Sequence, residues 1–452
     1  MGTFTLEQSQ REWFTSHSGL PLVGACIRQS ELKRHLGPLN IGLSRISMRD
    51  ILVSFVGLLC LGKSDYQAIS TMRGDEFFMH SLDISRVPSP ELLRQRLDKC
   101  PVEVRDAVWQ AILTMLRNLN VAISGYGREF DDMIPVDIDV TPQDNSNTKK
   151  EGVSRTYHNY DGYAPIAAYI GLEGWCLLLE LRPGSQHAQN GFVEFFGKAL
   201  RGARRVVGDK PLLVRLDSAH DAFETIWTLK KAENVHFIVK WNPRRANRHD
   251  LLAQAQSQGR EEPAHRNGKR SWLLEMKDER QDGQGRTVAC RRLVRVSEER
   301  ITASGQMLVA PEIEVEGWLT DLPYEAARIF RLYKDHATSE QYHSELKTDL
   351  DLERLPSGKF ATNALVMSLG AFAFNILRAI GQIGLLGQYG KLRHPAKRRR
   401  LRTVMQELLY VAARVVRHGH EWILRFGRHC PAYAAIQGAL VQLGRAAPVF
   451  AG

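Results

Sequence analysis

The sequence predicts a mixed α/β protein: an N-terminal helical stretch, a strand-rich core with helices against it, a β-rich insertion and C-terminal helices. Three observations predict this. Apolar spacing changes from a helical period to strict alternation near residue 133. The runs that follow read strand, strand, strand, helix, strand, helix, strand. A later stretch free of Pro and Gly, residues 333–347 (YKDHATSEQYHSELK), reads as one helix with unusually polar chemistry on a single face.

The chain has 452 residues, enough for several domains and a sizeable core. Hydrophobic residues are 43% and charged ones 25%, as in ordinary globular proteins. Its net charge of +11 points to a polyanionic partner, above all nucleic acid. The six cysteines form no CxxC pair, so neither a zinc site nor a disulfide framework is expected, and a reducing cytoplasm fits. The first residues do not read as a secretory signal. The apolar runs 51–62 and 364–374 are too short to span a bilayer and read as buried helices, so no membrane role is expected.

Residues 1–130 read as helices. An apolar run covers 47–61. Ser89-Pro90-Glu91 is a helix start, with a serine cap and proline in the first turn. Leu92, Leu93 and Leu97 then share a face away from Arg94, Arg96 and Lys99, and 102–119 form another amphipathic helix. Such a module with basic faces is either a DNA-binding head or a helical packing domain.

Residues 131–240 form the first part of the core. In MIPVDIDV (133–140), Ile134, Val136, Ile138 and Val140 point to one face and Asp137 and Asp139 to the other. Neighbouring carboxylates are unfavourable there unless a cation or a wet cleft is near. Strands follow at 163–170 and 175–181, a helix at 192–200, a strand at 211–216 ending at Asp217, a helix at 222–231 and a strand at 235–239. This is the order of the ribonuclease-H-like fold, in which catalytic carboxylates occupy the first strand, the end of the fourth and a later helix. Those places hold Asp137 or Asp139, Asp217 and Glu340.

Residues 241–323 read as a β-rich insertion: a polar, loop-like stretch at 249–270, then strands near 271–276, 287–296 and 312–319. Residues 324–380 return to the core with the helix at 333–347, on which Tyr333, His336, Glu340, His343 and Lys347 share a face, and an apolar helix at 363–377. The basic C-terminal region, 381–452, opens with KLRHPAKRRRLR (391–402), a phosphate-contact candidate, and an amphipathic helix at 403–416.

Three carboxylates without a Cys or His ligand cluster suit hard cations, Mg²⁺ or Mn²⁺. Two such ions can drive phosphodiester displacement, with a cation such as Lys347 beside a DNA phosphate. Carboxylate pairs also serve glycoside hydrolysis, but the basic balance and the strand order argue against it.

The helix matches the signature of Asp-Asp-Glu transposases: Tyr, two residues, Arg, three residues, Glu, six residues, Lys. Here it reads Tyr333, His336, Glu340, Lys347, with histidine where the family has arginine. The blocks at 139–169, 181–191, 214–222 and 338–360 resemble the insertion sequence 1380 family of bacterial transposases, and together they cover about residues 130–360. The resemblance implies a first acid at Asp139, in Asp139-Val140-Thr141, with Asp137 as runner-up, then Asp217 and Glu340. Asp221 then reads as a helix-starting residue. It further implies that Tyr333 and Lys347 contact phosphates at the transposon end and that His336 does part of the missing arginine's work. Trp318 is similar to a tryptophan that stacks on a flipped base in related transposases, although a tryptophan closing a strand is more often part of the core. Lys149, Lys150, Arg155, Tyr157 and His158 would line the DNA channel or simply be exposed. His187 and His220 lie near catalytic strand ends, with a satisfied polar histidine as the default.

The function so implied is a Mg²⁺-dependent transposase, with Mn²⁺ able to substitute. It would bind terminal inverted repeats of double-stranded DNA, move by cut-and-paste as a homodimer, and work in the cytoplasm on nucleoid DNA. The alternatives are a catalytically inactive repressor that occupies the repeats and a ribonuclease-H-like nuclease.

Overall fold

A computed structural model describes residues 4–39, 41–42, 44–244, 246–386, 398–419 and 421–444. A short strand, β1 (Trp13–Thr15), leads into six helices: α1 (Leu20–Gln29), α2 (Leu32–Leu36), α3 (Met48–Cys60), α4 (Glu76–Leu82), α5 (Pro90–Asp98) and α6 (Val104–Asn118). Their starts follow local chemistry. Ser47 accepts from Asp50 N at 3.0 Å to cap α3, and Ser89 accepts from Leu92 N at 3.2 Å to cap α5, with Pro90 in the first turn.

The core strands are β2 (Ile134–Val140), β6 (Ile166–Ile170), β7 (Trp175–Glu180), β8 (Leu212–Leu216) and β9 (Val235–Lys240). Between β2 and β6 the short strands β3 (Gln143–Asp144), β4 (Ser154–Arg155) and β5 (Asp161–Tyr163) make a small separate sheet. Two helices, α7 (Phe192–Val207) and α8 (Phe223–Lys231), carry the chain into β8 and β9. β8 runs parallel to both β2 and β9, whereas β6 is antiparallel to β2 and to β7. Every residue of β2 except Asp139 is buried, as expected for a central strand covered on both faces.

The insertion extends this same sheet. A helix, α9 (Arg248–Gln258), and four strands, β10 (Arg260–Arg266), β11 (Lys269–Gln281), β12 (Thr287–Ile301) and β13 (Met307–Thr320), complete the order β10-β11-β12-β13-β9-β8-β2-β6-β7. The join is Trp318 opposite Lys240, Leu319 opposite Val239 and Thr320 opposite Ile238. α9 lies where a loop was expected. Only its Ala255 is fully buried, so it has no apolar stripe to betray it, but Asn247 caps it by accepting from His249 N at 3.0 Å.

The chain then forms one helical run: α10 (Ala326–Lys334), a 3₁₀ turn, α11 (Thr338–Ser344) and a π turn over Glu345–Asp349. Next comes α12 (Phe360–Leu385), whose 26 residues outrun the apolar stretch expected there. It is long and apolar enough to cross a membrane, yet it is buried in the protein against α3, α6 and β7. The N-terminal helices therefore share one core with α12 and the sheet.

The expected helix at 403–416 is corrected. A short helix, α13 (Leu401–Val404), and a π turn end at Leu409; β14 (Ala413–His418) then pairs with β1 and with β15 (Glu421–Phe426), before α14 (Tyr433–Gln442). Of the basic run, residues 391–397 lie outside the described residues.

Candidate active site

The geometry begins with strand register. Ile138 of β2 pairs with Leu216 of β8 in parallel, so continuing the register by one step brings Asp139, next in β2, level with Asp217, the first residue past β8. Both acids act on the hydroxyls of Tyr333 and Tyr157, which burial and these carboxylates push well above the ordinary tyrosine range. Asp139 and Glu340 line a cleft of about 380 Å³ together with Thr141, Tyr157, His158, His343 and Lys347. Glu340 is solvent-exposed on α11.

Asp137, two residues earlier on the same face, has a different environment. Arg215 Nε and Nη2 donate to its two oxygens at 2.7 and 2.6 Å, and His336 Nδ1 donates at 2.8 Å. Arg215 also donates to Leu332 O at 2.6 Å and to the Tyr126 hydroxyl. Burial alone would raise the Asp137 carboxyl; Arg215 and His336 outweigh it and hold it below the usual aspartate range. With both oxygens engaged by buried donors, Asp137 anchors strand to helix.

Asp139 keeps a side chain 21% exposed. Its Oδ1 accepts from Val140 N at 2.8 Å, and its Oδ2 lies 3.3 Å from His343 Nε2, not aligned as a hydrogen bond. Burial pushes the Asp139 carboxyl up, and His343 and His336 more than offset this, so it sits below the usual range. The far nitrogen of His343 meets the buried Tyr169 hydroxyl at 3.2 Å. Asp217, 43% exposed, accepts at Oδ1 from buried His220 Nδ1 at 2.7 Å and from Ala219 N at 3.2 Å. Each exposed aspartate is thus backed by a buried histidine. His343 was legible only as a helix-face neighbour of Glu340; its place on Asp139 depends on β2.

Several expected roles are corrected. His336 does not face a phosphate: it is 7% exposed and its ring is turned onto Asp137. Trp318 offers no open face for a base. It is 4% exposed, packed against Phe330 and Tyr333, with Lys240 Nζ 4.4 Å from its ring centroid. Lys150 does not reach toward a channel, since its Nζ donates to Asn145 Oδ1 at 3.1 Å and to Leu355 O. Asp221 does not start α8 but accepts from Asn242 N and from Arg280 of β11 at 2.8 and 2.6 Å. Tyr333 is half-buried and donates to Leu216 O at 3.3 Å. Lys347 lines the cleft and donates to Pro142 O; burial lowers its pKa. Lys149 and Arg155 are exposed, as is His187, whose Nδ1 accepts from Gln189 N at 3.3 Å.

The described end of the basic run lies against the helix that carries Glu340. Arg398 donates to buried Glu345 and to Gln341 Oε1, while Arg400 holds Asp349 at 3.0 Å. Arg378 of α12 donates to Glu345 from below at 2.7 Å. Glu345 and Asp349 bound the π turn that carries Lys347, so these arginines serve its shape rather than an external phosphate.

Asp139, Asp217 and Glu340 present only oxygen donors, which suits Mg²⁺ or Mn²⁺. Among the described residues, no three His, Cys, Asp or Glu side chains are gathered closely enough to hold a metal ion. The donor chemistry of the three carboxylates fits a hard cation.

A family model described as "Transposase DDE domain group 1" matches residues 12–448. No curated protein matches the chain. Five chains of solved structure match. One, "Cryo-EM structure of piggyBac transposase synaptic complex with hairpin DNA (SNHP)", is similar at 10% identity with a TM-score of 0.42, covering 87% of this chain and 79% of that chain.

Proposed function

The chain belongs to the transposase DDE domain family, group 1, and on that premise we propose that it binds the terminal inverted repeats of an insertion sequence, cuts the strands there and joins them to target DNA by cut-and-paste. The blocks at 139–169 and 338–360 support placing it in the insertion sequence 1380 family. The order β7-β6-β2-β8-β9, with β8 and β9 parallel to β2, supports a ribonuclease-H-like core.

One observation carries the reading: the β2–β8 register sets Asp139 beside Asp217, at a cleft that Glu340 shares with Asp139. Asp139, Asp217 and Glu340 would hold Mg²⁺ or Mn²⁺. The cation would supply charge stabilisation for phosphodiester displacement. The chain's own residues do the rest. Arg215 and His336 fix Asp137, and through it they fix β2 against α10 and α11. His343 and His220 back the two exposed carboxylates. Tyr333, kept protonated, ties α10 to the end of β8. Lys347 places a cation in the cleft for a DNA phosphate. Two ends need two active sites, hence a homodimer on DNA, working in the cytoplasm on the nucleoid.

The test is a cleavage and strand-transfer assay on DNA flanking this gene, with Mg²⁺ or Mn²⁺, comparing wild type with Glu340→Gln. Wild-type cutting and joining, with a variant that binds equally but does neither, is the expected result. Binding by both without cutting would make the protein a repressor; cutting without joining would make it a nuclease.

A further inference from the structure

The small sheet β1-β14-β15 ends on an open edge. Among the described residues β15 pairs with β14 alone, so its outer row of N–H and C=O groups meets no strand. Edge strands usually blunt that risk with proline, lysine, a bulge or a cover. β15 reads Glu421-Trp422-Ile423-Leu424-Arg425-Phe426, four apolar residues of six, without proline or lysine and in unbroken register with β14. None of the six is fully buried. Trp422 stacks on His80 of α4 at 4.6 Å and Phe426 meets Tyr433 of α14 at 5.6 Å. By alternation, Trp422, Leu424 and Phe426 face the helices, and Glu421, Ile423 and Arg425 share the other face. On the helix side lies a cavity of about 560 Å³, lined by Phe77, His80, Leu424, Tyr433, Ile436 and Leu440. Arg425 stands opposite Arg414, whose own partner is Glu12 at 3.0 Å. Glu421 and Arg425 are exposed, and among the described residues neither forms an ion pair.

We propose that β15 is the dimer joint of this protein: it adds antiparallel to β15 of a second copy, joining two three-stranded sheets into one. This deepens the reading above and rests on it for the need for two active sites in one particle. A strand that pairs antiparallel with its own copy is related to it by a two-fold axis, the symmetry of a closed dimer. Charge fixes the register. With Ile423 opposite Ile423 of the second copy, Glu421 falls opposite Arg425 of that copy, and Arg425 opposite its Glu421. Centring the joint on Trp422 or Leu424 instead would set Ile423 opposite a charge. The chosen register pairs both charges that β15 leaves without a partner. On the cavity side it sets Trp422 opposite Leu424 of the second copy, which covers apolar surface. A peptide from another protein would need a matching Glu and Arg at the same spacing; a second copy has them by identity.

The experiment is sedimentation equilibrium of the full chain without DNA, on wild type, Arg425→Glu, Glu421→Arg and the double exchange. Wild type should be dimeric at about micromolar concentration. Each single substitution turns both ion pairs of the joint into like-charge pairs and should raise the dimer Kd at least about ten-fold. The double exchange restores opposite charges and should return Kd to within about three-fold of wild type. Arg425→Glu also sets a carboxylate opposite Arg414 within its own chain, so its melting temperature should not fall, and a lost dimer is not a lost fold. A wild type that stays monomeric at every concentration overturns the joint and leaves the edge to a peptide of another protein. A wild-type dimer that the single substitutions leave intact, or a double exchange as weak as they are, overturns it too. No DNA enters this measurement, so failure of the transposase reading is seen separately, as the absence of cutting by wild type on terminal DNA.

Discussion

Arg215 grips both oxygens of Asp137, at 2.7 and 2.6 Å, while Asp139, two residues on and on the same face of β2, stands at the cleft. That difference separates two acids the sequence leaves adjacent. Asp137→Asn strands a buried guanidinium and should destabilise the protein by roughly 3–5 kcal/mol. Asp139→Asn should leave stability within about 1 kcal/mol and abolish cleavage, because it changes only a partly exposed carboxylate. Urea unfolding beside a cleavage assay reads both. A stable, inactive Asp137 variant with an active Asp139 variant would exchange their roles.

His336 is a hydrogen-bond donor to a buried carboxylate. His336→Ala should therefore cost about 1.5–3 kcal/mol of stability. It should leave the slope of log affinity for DNA against log salt unchanged. A slope reduced by about one would return His336 to a phosphate.

Arg280 of β11 reaches across to Asp221, four residues past Asp217, and is itself held by Asp278 at 2.6 Å. The insertion thereby braces the loop that carries the second acid. Arg280→Ala should lower kcat at least ten-fold and raise the Mg²⁺ concentration needed for half-maximal rate, with DNA affinity within about two-fold. Arg280→Lys, which keeps the charge, should recover part of the rate. Loss of DNA affinity with kcat intact would make Arg280 a DNA contact instead.

Where β13 returns to the core, Asp321 accepts from Phe237 N at 2.9 Å and from His236 Nδ1 at 3.0 Å. The hydrogen bond from His236 to Asp321 raises the His236 pKa above its ordinary value. The stabilisation is complete below about pH 6.5, the unfolded histidine value, and disappears as pH rises through the higher folded value. Wild type should thus lose more melting temperature between about pH 6 and pH 8 than His236→Asn does. Parallel melting curves for the two proteins would count against the pair.

Much of the site's skeleton is legible in the sequence. The alternation of MIPVDIDV places Asp137 and Asp139 on one face, and the apolar run into Asp217 ends where β8 ends. Which aspartate faces solvent is not legible, because it depends on Arg215, 78 residues away. α9 buries little and so carries no apolar stripe, and the helical spacing at 403–416 misleads because β14 takes its pairing from β1, some 400 residues earlier. The burial of Trp318 and His336 likewise follows from β9 and β2, which local spacing does not encode. The arginines at 398 and 400 look like a DNA-contact run until Glu345 and Asp349 are seen beneath them.

The central claim is that Asp139 and Asp217 share a cation. Anomalous scattering from a crystal of the protein with its terminal DNA and Mn²⁺ tests it most directly. The account predicts a Mn²⁺ peak within ligand distance, about 2.0–2.6 Å, of oxygens from both aspartates, with Glu340 drawn toward it. A DNA-bound structure whose Mn²⁺ sits on other residues, with Asp139 still against His343 and Asp217 still against His220, would contradict it.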